Sequence, residues 1–167
     1  MSKTVRYALV GAGMMGWEHI RNLAITPGAE LVAVVDPVDS SYAVAAATAG
    51  NADLRRFDSP AALATSGIAD AVVVASPNHT HREVLAPLFD AGLHILCEKP
   101  LATTVDDARW VAERAAAANG VFWTAMEYRY MPPAAEFIAQ IKAGRIGRLQ
   151  MLSIREHRFP FLPKVGD

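Results

Sequence analysis

One segment constrains the fold of this chain more than any other: a glycine-rich turn between an apolar run and an amphipathic helical pattern. Gly11, Gly13 and Gly16 form a G-x-G-x-x-G pattern. In a strand–turn–helix context such glycines allow a sharp turn, close approach of a ligand, and tight packing of helix against strand. The N–H groups at the start of the helix attract phosphate. The segment therefore predicts a dinucleotide-binding turn.

An acidic residue favours the same interpretation. Asp36 ends the apolar run 31–35, twenty residues beyond Gly16, where a carboxylate accepts hydrogen bonds from the ribose hydroxyls of adenosine. The alternative is an ordinary glycine-rich turn and an unrelated Asp. That alternative does not explain why the glycines and Asp36 have the spacing of a dinucleotide site. Pro37 and Val38 follow Asp36, so no adjacent arginine is available for a 2′-phosphate. We expect NAD, with NADP less favoured.

Apolar runs alternate with helical patterns along most of the chain. The patterns predict strands at 4–10, 30–35, 53–57, 70–75, 93–97 and 121–126, and helices at 14–26, 39–49, 80–91 and 104–118. Ser59 before Pro60 indicates the start of a further helix. A capping box from Thr104 to Asp107 marks the start of the 104–118 helix. Continuous apolar strands separated by helices are typical of a parallel sheet covered on both faces. The expected fold class is α/β, a doubly wound parallel sheet.

Composition excludes several classes of partner. Hydrophobic residues make up 52% of the chain, and its net charge of −1 provides no basic surface for nucleic acid. No run approaches the ~18 apolar residues of a membrane span, and the N-terminus lacks a signal-peptide pattern. The single cysteine, Cys97, excludes an intrachain disulfide. We expect a cytoplasmic protein whose partner is a small molecule, without nucleic acid or membrane.

The pattern changes after residue 126. We predict a dinucleotide-binding domain over 1–126 and, over 127–167, the beginning of a second, α+β domain. Within the latter, a helix is expected from Ala134 to Lys142 and a strand from Arg148 to Arg155, where apolar and polar residues alternate. The final segment, 159–167, is apolar and rich in proline, which suggests a truncated chain.

Two more groups of polar residues are placed where strands of such a sheet end. The first is the segment 76–81, Ser-Pro-Asn-His-Thr-His, and the second is Glu98-Lys99-Pro100. Lys99 is either a hydrogen-bond donor to a substrate or nicotinamide, or a solvated lysine paired with Glu98. His79 and His81 have a spacing seen in metal sites, but no third ligand accompanies them, so we predict no metal.

These motifs together resemble the N-terminal part of the Gfo/Idh/MocA oxidoreductases, the group that contains glucose-fructose oxidoreductase and inositol dehydrogenase. The resemblance covers essentially the whole chain, and its most specific part is the Glu-Lys-Pro step. It implies a Rossmann NAD-binding domain and hydride transfer between the nicotinamide and a secondary alcohol of a sugar, inositol or related polyol. The cofactor-binding residues implied are Gly11, Gly13, Met14, Met15, Gly16, Asp36, Ser76, Pro77, Asn78, His81, Glu98, Lys99 and Arg129. Lys99 is also implied to be catalytic.

The family's general base, a His assisted by an Asp, lies in the substrate domain beyond the last residue of this sequence. His157 does not match it by position and is expected to be an exposed strand residue. One alternative is therefore a non-catalytic dinucleotide-binding module. Another is a methyltransferase, which shares the glycine-rich loop and acidic residue but lacks the Glu-Lys-Pro step. Homo-oligomers are expected only for a full-length form, because the family pairs through its substrate domain.

Overall fold

The computed structural model describes residues 4–51 and 53–157. Its six strands form one parallel sheet, which confirms the predicted doubly wound α/β class. The strands are β1 (Val5–Val10), β2 (Ala29–Val35), β3 (Arg55–Phe57), β4 (Ala71–Val74), β5 (His94–Cys97) and β6 (Phe122–Thr124). The helices are α1 (Met14–Ala24), α2 (Asp39–Ala49), α3 (Pro60–Ser66), α4 (His81–Asp90), α5 (Val105–Ala117) and α6 (Pro132–Lys142).

The strand order is β3-β2-β1-β4-β5-β6, so the direction of winding reverses between β1 and β4. In a doubly wound sheet the crevice at the carboxyl ends of the strands on either side of this point binds ligands. The segments that follow β1, β2, β4 and β5 begin at Gly11, Asp36, Ala75 and Glu98 respectively. The glycine turn, Asp36, the 76–81 segment and the Glu-Lys-Pro step therefore lie at the same end of the sheet.

Both faces of the central strand β4 are buried, which explains why its four residues are all apolar. The edge strand β3 differs, because it carries two exposed arginines. Side chains of successive residues alternate between faces. In β1, Ala8 and Val10 belong to a cluster with Leu85 of α4, while Leu9 belongs to a second cluster with Ile20 of α1. Complete burial of such side chains stabilises the fold by about 1.5–3 kcal/mol each.

The predicted helix starts are present. The Ser59 side chain accepts a hydrogen bond from the Ala62 N–H at 3.1 Å, and Pro60 begins α3. The Thr104 hydroxyl accepts from the Asp107 N–H at 3.1 Å and donates to the Asp107 carboxylate at 2.7 Å. These caps satisfy backbone donors that have no partner within the helix.

Residues from 126 onward belong to a second compact unit. It contains a single 3-10 turn, Glu127–Tyr130, and α6 among the residues that the structure describes. The strand predicted over 148–155 is wrong, because the described residues there have no strand structure. An alternating pattern produces a strand only beside a partner that pairs with its backbone, and every described strand belongs to the one sheet. The apolar segment 159–167 lies outside the described residues.

Candidate functional site

Two glycines of the turn after β1 are required by the packing of the chain itself. Gly11 has φ +90°, and a Cβ there would lie 2.6 Å from the Ala75 carbonyl carbon and the Ser76 nitrogen. A Cβ at Gly16 would overlap the carbonyl oxygen of Gly11. These contacts bring the starts of α1 and of the segment after β4 close to the end of β1.

Gly13 is different, because no packing contact among the described residues requires a glycine there. Its backbone is extended, with φ −78° and ψ −164°, and a Cβ there would meet no atom within 4 Å. Gly13 precedes α1, whose first turn receives no hydrogen bond from a capping side chain. A bare backbone beside an uncapped helix start fits a pyrophosphate, whose oxygens accept from helix N–H groups. Met14 and Met15 are exposed in that first turn.

Asp36 is buried and its carboxylate is held in one orientation. One oxygen accepts from the Ala12 N–H in the glycine turn at 2.7 Å, and the other from the Val38 N–H at 2.8 Å. Because each carboxylate oxygen has two lone pairs, both retain capacity for ribose hydroxyls. Asp36 therefore links the glycine turn to the end of β2 and fits the adenosine side of a dinucleotide.

The segment after β4 presents backbone and small polar groups to the crevice. Ser76 is partly buried and its Oγ accepts from the Thr80 hydroxyl at 2.9 Å. Pro77 and Asn78 are exposed, and a 3-10 turn begins at Asn78. Ser76, Pro77 and Asn78 are thus accessible to a ligand that lies along the strand ends.

His81 is not accessible, although the resemblance placed it with the cofactor-binding residues. Its side chain is completely buried. The Nδ1 atom lies 3.0 Å from the Leu101 carbonyl oxygen and Nε2 lies 3.1 Å from that of Ser76. The ring therefore joins the segment after β4 to the segment after the Glu-Lys-Pro step. In this arrangement His81 supports the site and does not reach a ligand.

Glu98 connects the end of β5 with α1. Its Oε1 lies 2.8 Å from Nε2 of His19, and its Oε2 accepts from the Lys99 N–H at 3.1 Å. Burial opposes ionisation of Glu98, but these hydrogen bonds and the nearby positive groups outweigh it and lower the pKa of the carboxyl below its ordinary value. Glu98 thereby fixes the backbone from which the Lys99 side chain emerges. It is buried behind that backbone and holds the turn.

Lys99 itself is exposed just beyond the end of β5. Its peptide bond to Pro100 is cis. Arg129 lies in the 3-10 turn of the second unit and is also exposed. Lys99 therefore lies at the edge of the crevice, whereas Arg129 belongs to the second compact unit.

Cys97 is a buried residue of β5. Burial, with the Glu98 carboxylate next in importance, raises the pKa of its thiol to about 12. A thiol with such a pKa is almost entirely protonated near neutral pH and is a poor nucleophile. It has no part in the chemistry of the crevice.

Two residues near the site were not predicted from the sequence. His19 of α1 contacts Glu98; the sequence feature that could have revealed it is its position three residues after Gly16, on the same face of α1. Arg56 of β3 was not considered, yet one guanidinium nitrogen donates to the Asp36 carbonyl oxygen at 3.1 Å. The sequence feature that could have revealed Arg56 is its position near the carboxyl end of the strand beside β2.

Two other features bear on the class of protein. Across 4–51 and 53–157, no three His, Cys, Asp or Glu side chains converge in a way that would hold a metal ion. No helix in the same ranges has both the length and the apolar character needed to cross a membrane.

Comparisons with known proteins show the family of the chain. The family model for the oxidoreductase family with an NAD-binding Rossmann fold, GFO_IDH_MocA, matches residues 5–126. Inositol 2-dehydrogenase 1 of Saccharopolyspora erythraea is 38% identical over 146 residues, covering 86% of this chain and 43% of the relative. The rhizopine catabolism protein MocA of Rhizobium meliloti is 33% identical over 148 residues, covering 89% of this chain and 45% of the relative.

The fold of the chain is also similar to that of a solved structure. The myo-inositol dehydrogenase of Lactobacillus casei, determined in complex with NAD(H) and myo-inositol, superposes with a TM-score of 0.81 at 27% identity. The match covers 86% of this chain and 43% of that one. The chain therefore spans less than half the length of each of these three proteins.

Proposed function

Because the chain belongs to the Gfo/Idh/MocA oxidoreductase family, whose NAD-binding domain its residues 5–126 match, we propose that it forms the cofactor-binding half of a polyol dehydrogenase. The reaction is hydride transfer between NAD and a secondary alcohol of an inositol or related polyol. The observation that carries the proposal is Gly13, which lies beside an uncapped helix start with open space around it. The chain leaves there the room that a pyrophosphate needs.

The crevice residues divide the binding of NAD among them. The N–H groups of the first turn of α1 hold the pyrophosphate. Asp36, already oriented by Ala12 and Val38, accepts from the ribose hydroxyls of the adenosine. Ser76, Pro77 and Asn78 lie along the middle of the cofactor. When bound, the nicotinamide supplies a carbon that accepts or returns a hydride.

Lys99 is the residue of this unit that takes part in the chemistry. Its backbone N–H is held by Glu98, and its exposed side chain follows the end of β5 at the crevice. A cation there donates a hydrogen bond to the alcohol oxygen and stabilises the negative charge that develops as the proton leaves. The proton itself passes to the His and Asp of the substrate domain that the family resemblance implies.

The relatives support the proposed substrate class. Both the first relative and the solved structure are named for action on inositol. Inositol presents a ring of secondary alcohols, which is the functional group that hydride transfer to a nicotinamide oxidises. We therefore place an inositol or a similar polyol as the substrate of the whole protein.

NADH fluorescence titration and a polyol oxidation assay with NAD test the proposal together. We expect NADH binding, and in a version extended to the length of the relatives we expect oxidation of myo-inositol. Lys99→Ala should reduce turnover of that version much more than NADH affinity, with Lys142→Ala of α6 as the matched lysine control. Equal turnover of wild type and Lys99→Ala would remove Lys99 from the mechanism. Binding without turnover in the extended version would support a non-catalytic module, and binding of S-adenosylmethionine in place of NADH would support a methyltransferase.

A further inference from the structure

Arg56 places a positive charge beside the residue that selects the cofactor. It lies in β3, paired in register with Val34 of β2. One guanidinium nitrogen donates to the carbonyl oxygen of Asp36 at 3.1 Å, and the other donates to the Asp39 carboxylate at 2.6 Å. The guanidinium carbon lies 5.1 Å from the centre of the Tyr42 ring. These contacts fix the guanidinium next to the end of β2.

This position is adjacent to the ribose site that the proposed function requires. The Asp36 carboxylate would take the ribose hydroxyls, and the carbonyl of the same residue accepts from Arg56. NADP differs from NAD by a phosphate on the 2′ oxygen of that ribose. A nearby arginine is the usual partner for such a phosphate, because a guanidinium binds phosphate oxygens in a bidentate manner.

Two carboxylates keep this cation from selecting NADP. Asp36 would repel a 2′-phosphate directly, since both charges are negative. Asp39 occupies one guanidinium nitrogen of Arg56, but the Asp39 side chain is 91% exposed and that of Arg56 is 31% exposed. Water screens an ion pair of that kind, which makes it weak. A phosphate can therefore replace Asp39 as the partner of Arg56 once the repulsion from Asp36 is removed.

We propose that Arg56 is a latent ligand for the 2′-phosphate of NADP, held out of use by Asp36 and Asp39. This inference rests on the proposed function and adds a residue that determines cofactor choice. Removing the Asp36 carboxylate also frees the N–H groups of Ala12 and Val38, which now donate to it. Those donors and Arg56 would together surround a phosphate at this position.

The experiment measures NADH and NADPH affinity by fluorescence titration of wild type, Asp36→Ser, Arg56→Gln and the double variant. Wild type should prefer NADH. Asp36→Ser should weaken NADH binding and strengthen NADPH binding, each by roughly tenfold or more, the range of one hydrogen bond to a charged group. Adding Arg56→Gln should remove the gain in NADPH affinity and change NADH affinity less than about threefold. Arg55→Gln is the matched control, because Arg55 is exposed on the opposite face of β3.

The outcomes distinguish this inference from the function on which it rests. Wild type that binds neither nucleotide would refute the proposed function. If wild type binds NADH and the gain in NADPH affinity caused by Asp36→Ser persists when Arg56→Gln is added, the role of Arg56 is refuted. The proposed function would stand. If Asp36→Ser does not fold, Asp36→Asn decides, because it removes the charge with little change of size: it should raise NADPH affinity severalfold, in a manner abolished by Arg56→Gln. No gain from a folded Asp36→Asn would then overturn the proposal.

Discussion

Substituting alanine for Gly13 should separate ligand binding from folding. The backbone there has φ −78° and ψ −164°, a conformation open to any residue, and the new methyl would meet no atom within 4 Å. Two small effects on the free energy of unfolding oppose each other. Alanine restricts the unfolded chain, which stabilises by about 0.4–1 kcal/mol, and it is a poorer residue than glycine before a helix by about the same amount. The net change should lie within about 1 kcal/mol.

Gly16 provides the matched control for folding. The same methyl group at Gly16 would overlap the Gly11 carbonyl oxygen and lie 3.3 Å from the Leu9 side chain. Both neighbours are held by the sheet, so relief requires a shift of backbone. Overpacking of this kind costs about 1–3 kcal/mol. Gly16→Ala should therefore lower the stability of the apoprotein, whereas Gly13→Ala should not.

The binding measurement gives the contrast. The Gly13→Ala methyl occupies the space left for the pyrophosphate and separates it from the N–H groups of α1. Loss of one hydrogen bond to a charged group costs about 1.5–3 kcal/mol, which corresponds to a roughly 10- to 100-fold weaker Kd for NADH. Urea unfolding and NADH fluorescence titration of wild type, Gly13→Ala and Gly16→Ala provide both quantities. A folded Gly13→Ala variant with the NADH affinity of wild type would refute the assignment of this turn to the pyrophosphate.

Three further predictions concern the support of the site. Glu98→Gln should destabilise the protein by about 1–3 kcal/mol at neutral pH. Because folding lowers the pKa of Glu98, the ionised carboxylate stabilises the folded protein at pH values above the unfolded pKa. The difference in unfolding free energy between wild type and Glu98→Gln, measured in urea, should therefore shrink as pH falls through the folded pKa. A difference independent of pH would contradict this. Thr104→Ala should lower stability by about 1 kcal/mol through loss of the α5 cap, whereas its exposed neighbour Thr103→Ala should change it little; equal effects would remove the cap from the explanation. Cys97 should resist a thiol reagent at mildly alkaline pH in the folded protein and react after unfolding in urea, and rapid labelling of the native protein would contradict its burial.

The fold and the first half of the site could be predicted because their signals are local. The central strand β4 is apolar along its length since both of its faces are covered, and Gly11, Gly16 and Asp36 are spaced by a single strand–turn–helix–strand unit. The caps at Ser59 and Thr104 are equally local, because each side chain bonds to a backbone N–H three residues later. Patterns of this range depend on geometry within one or two elements.

The remaining contacts depend on how distant elements pack. His19 and Glu98 are 79 residues apart in sequence, and no periodicity connects a helix to a strand end at that distance. Arg56 approaches Asp36 only because β3 pairs with β2, so a search of the residues directly after Asp36 missed it. The strand predicted from the alternation in 148–155 is absent because a local pattern does not supply a neighbouring strand for its backbone to pair with.

A crystal structure of the protein with NADH bound tests the central claim most directly. The pyrophosphate should lie against Gly13 and the first turn of α1, with the ribose hydroxyls of the adenosine on Asp36 and the nicotinamide beside Lys99. A dinucleotide bound away from the strand ends, or bound there with its adenosine remote from Asp36, would contradict the account.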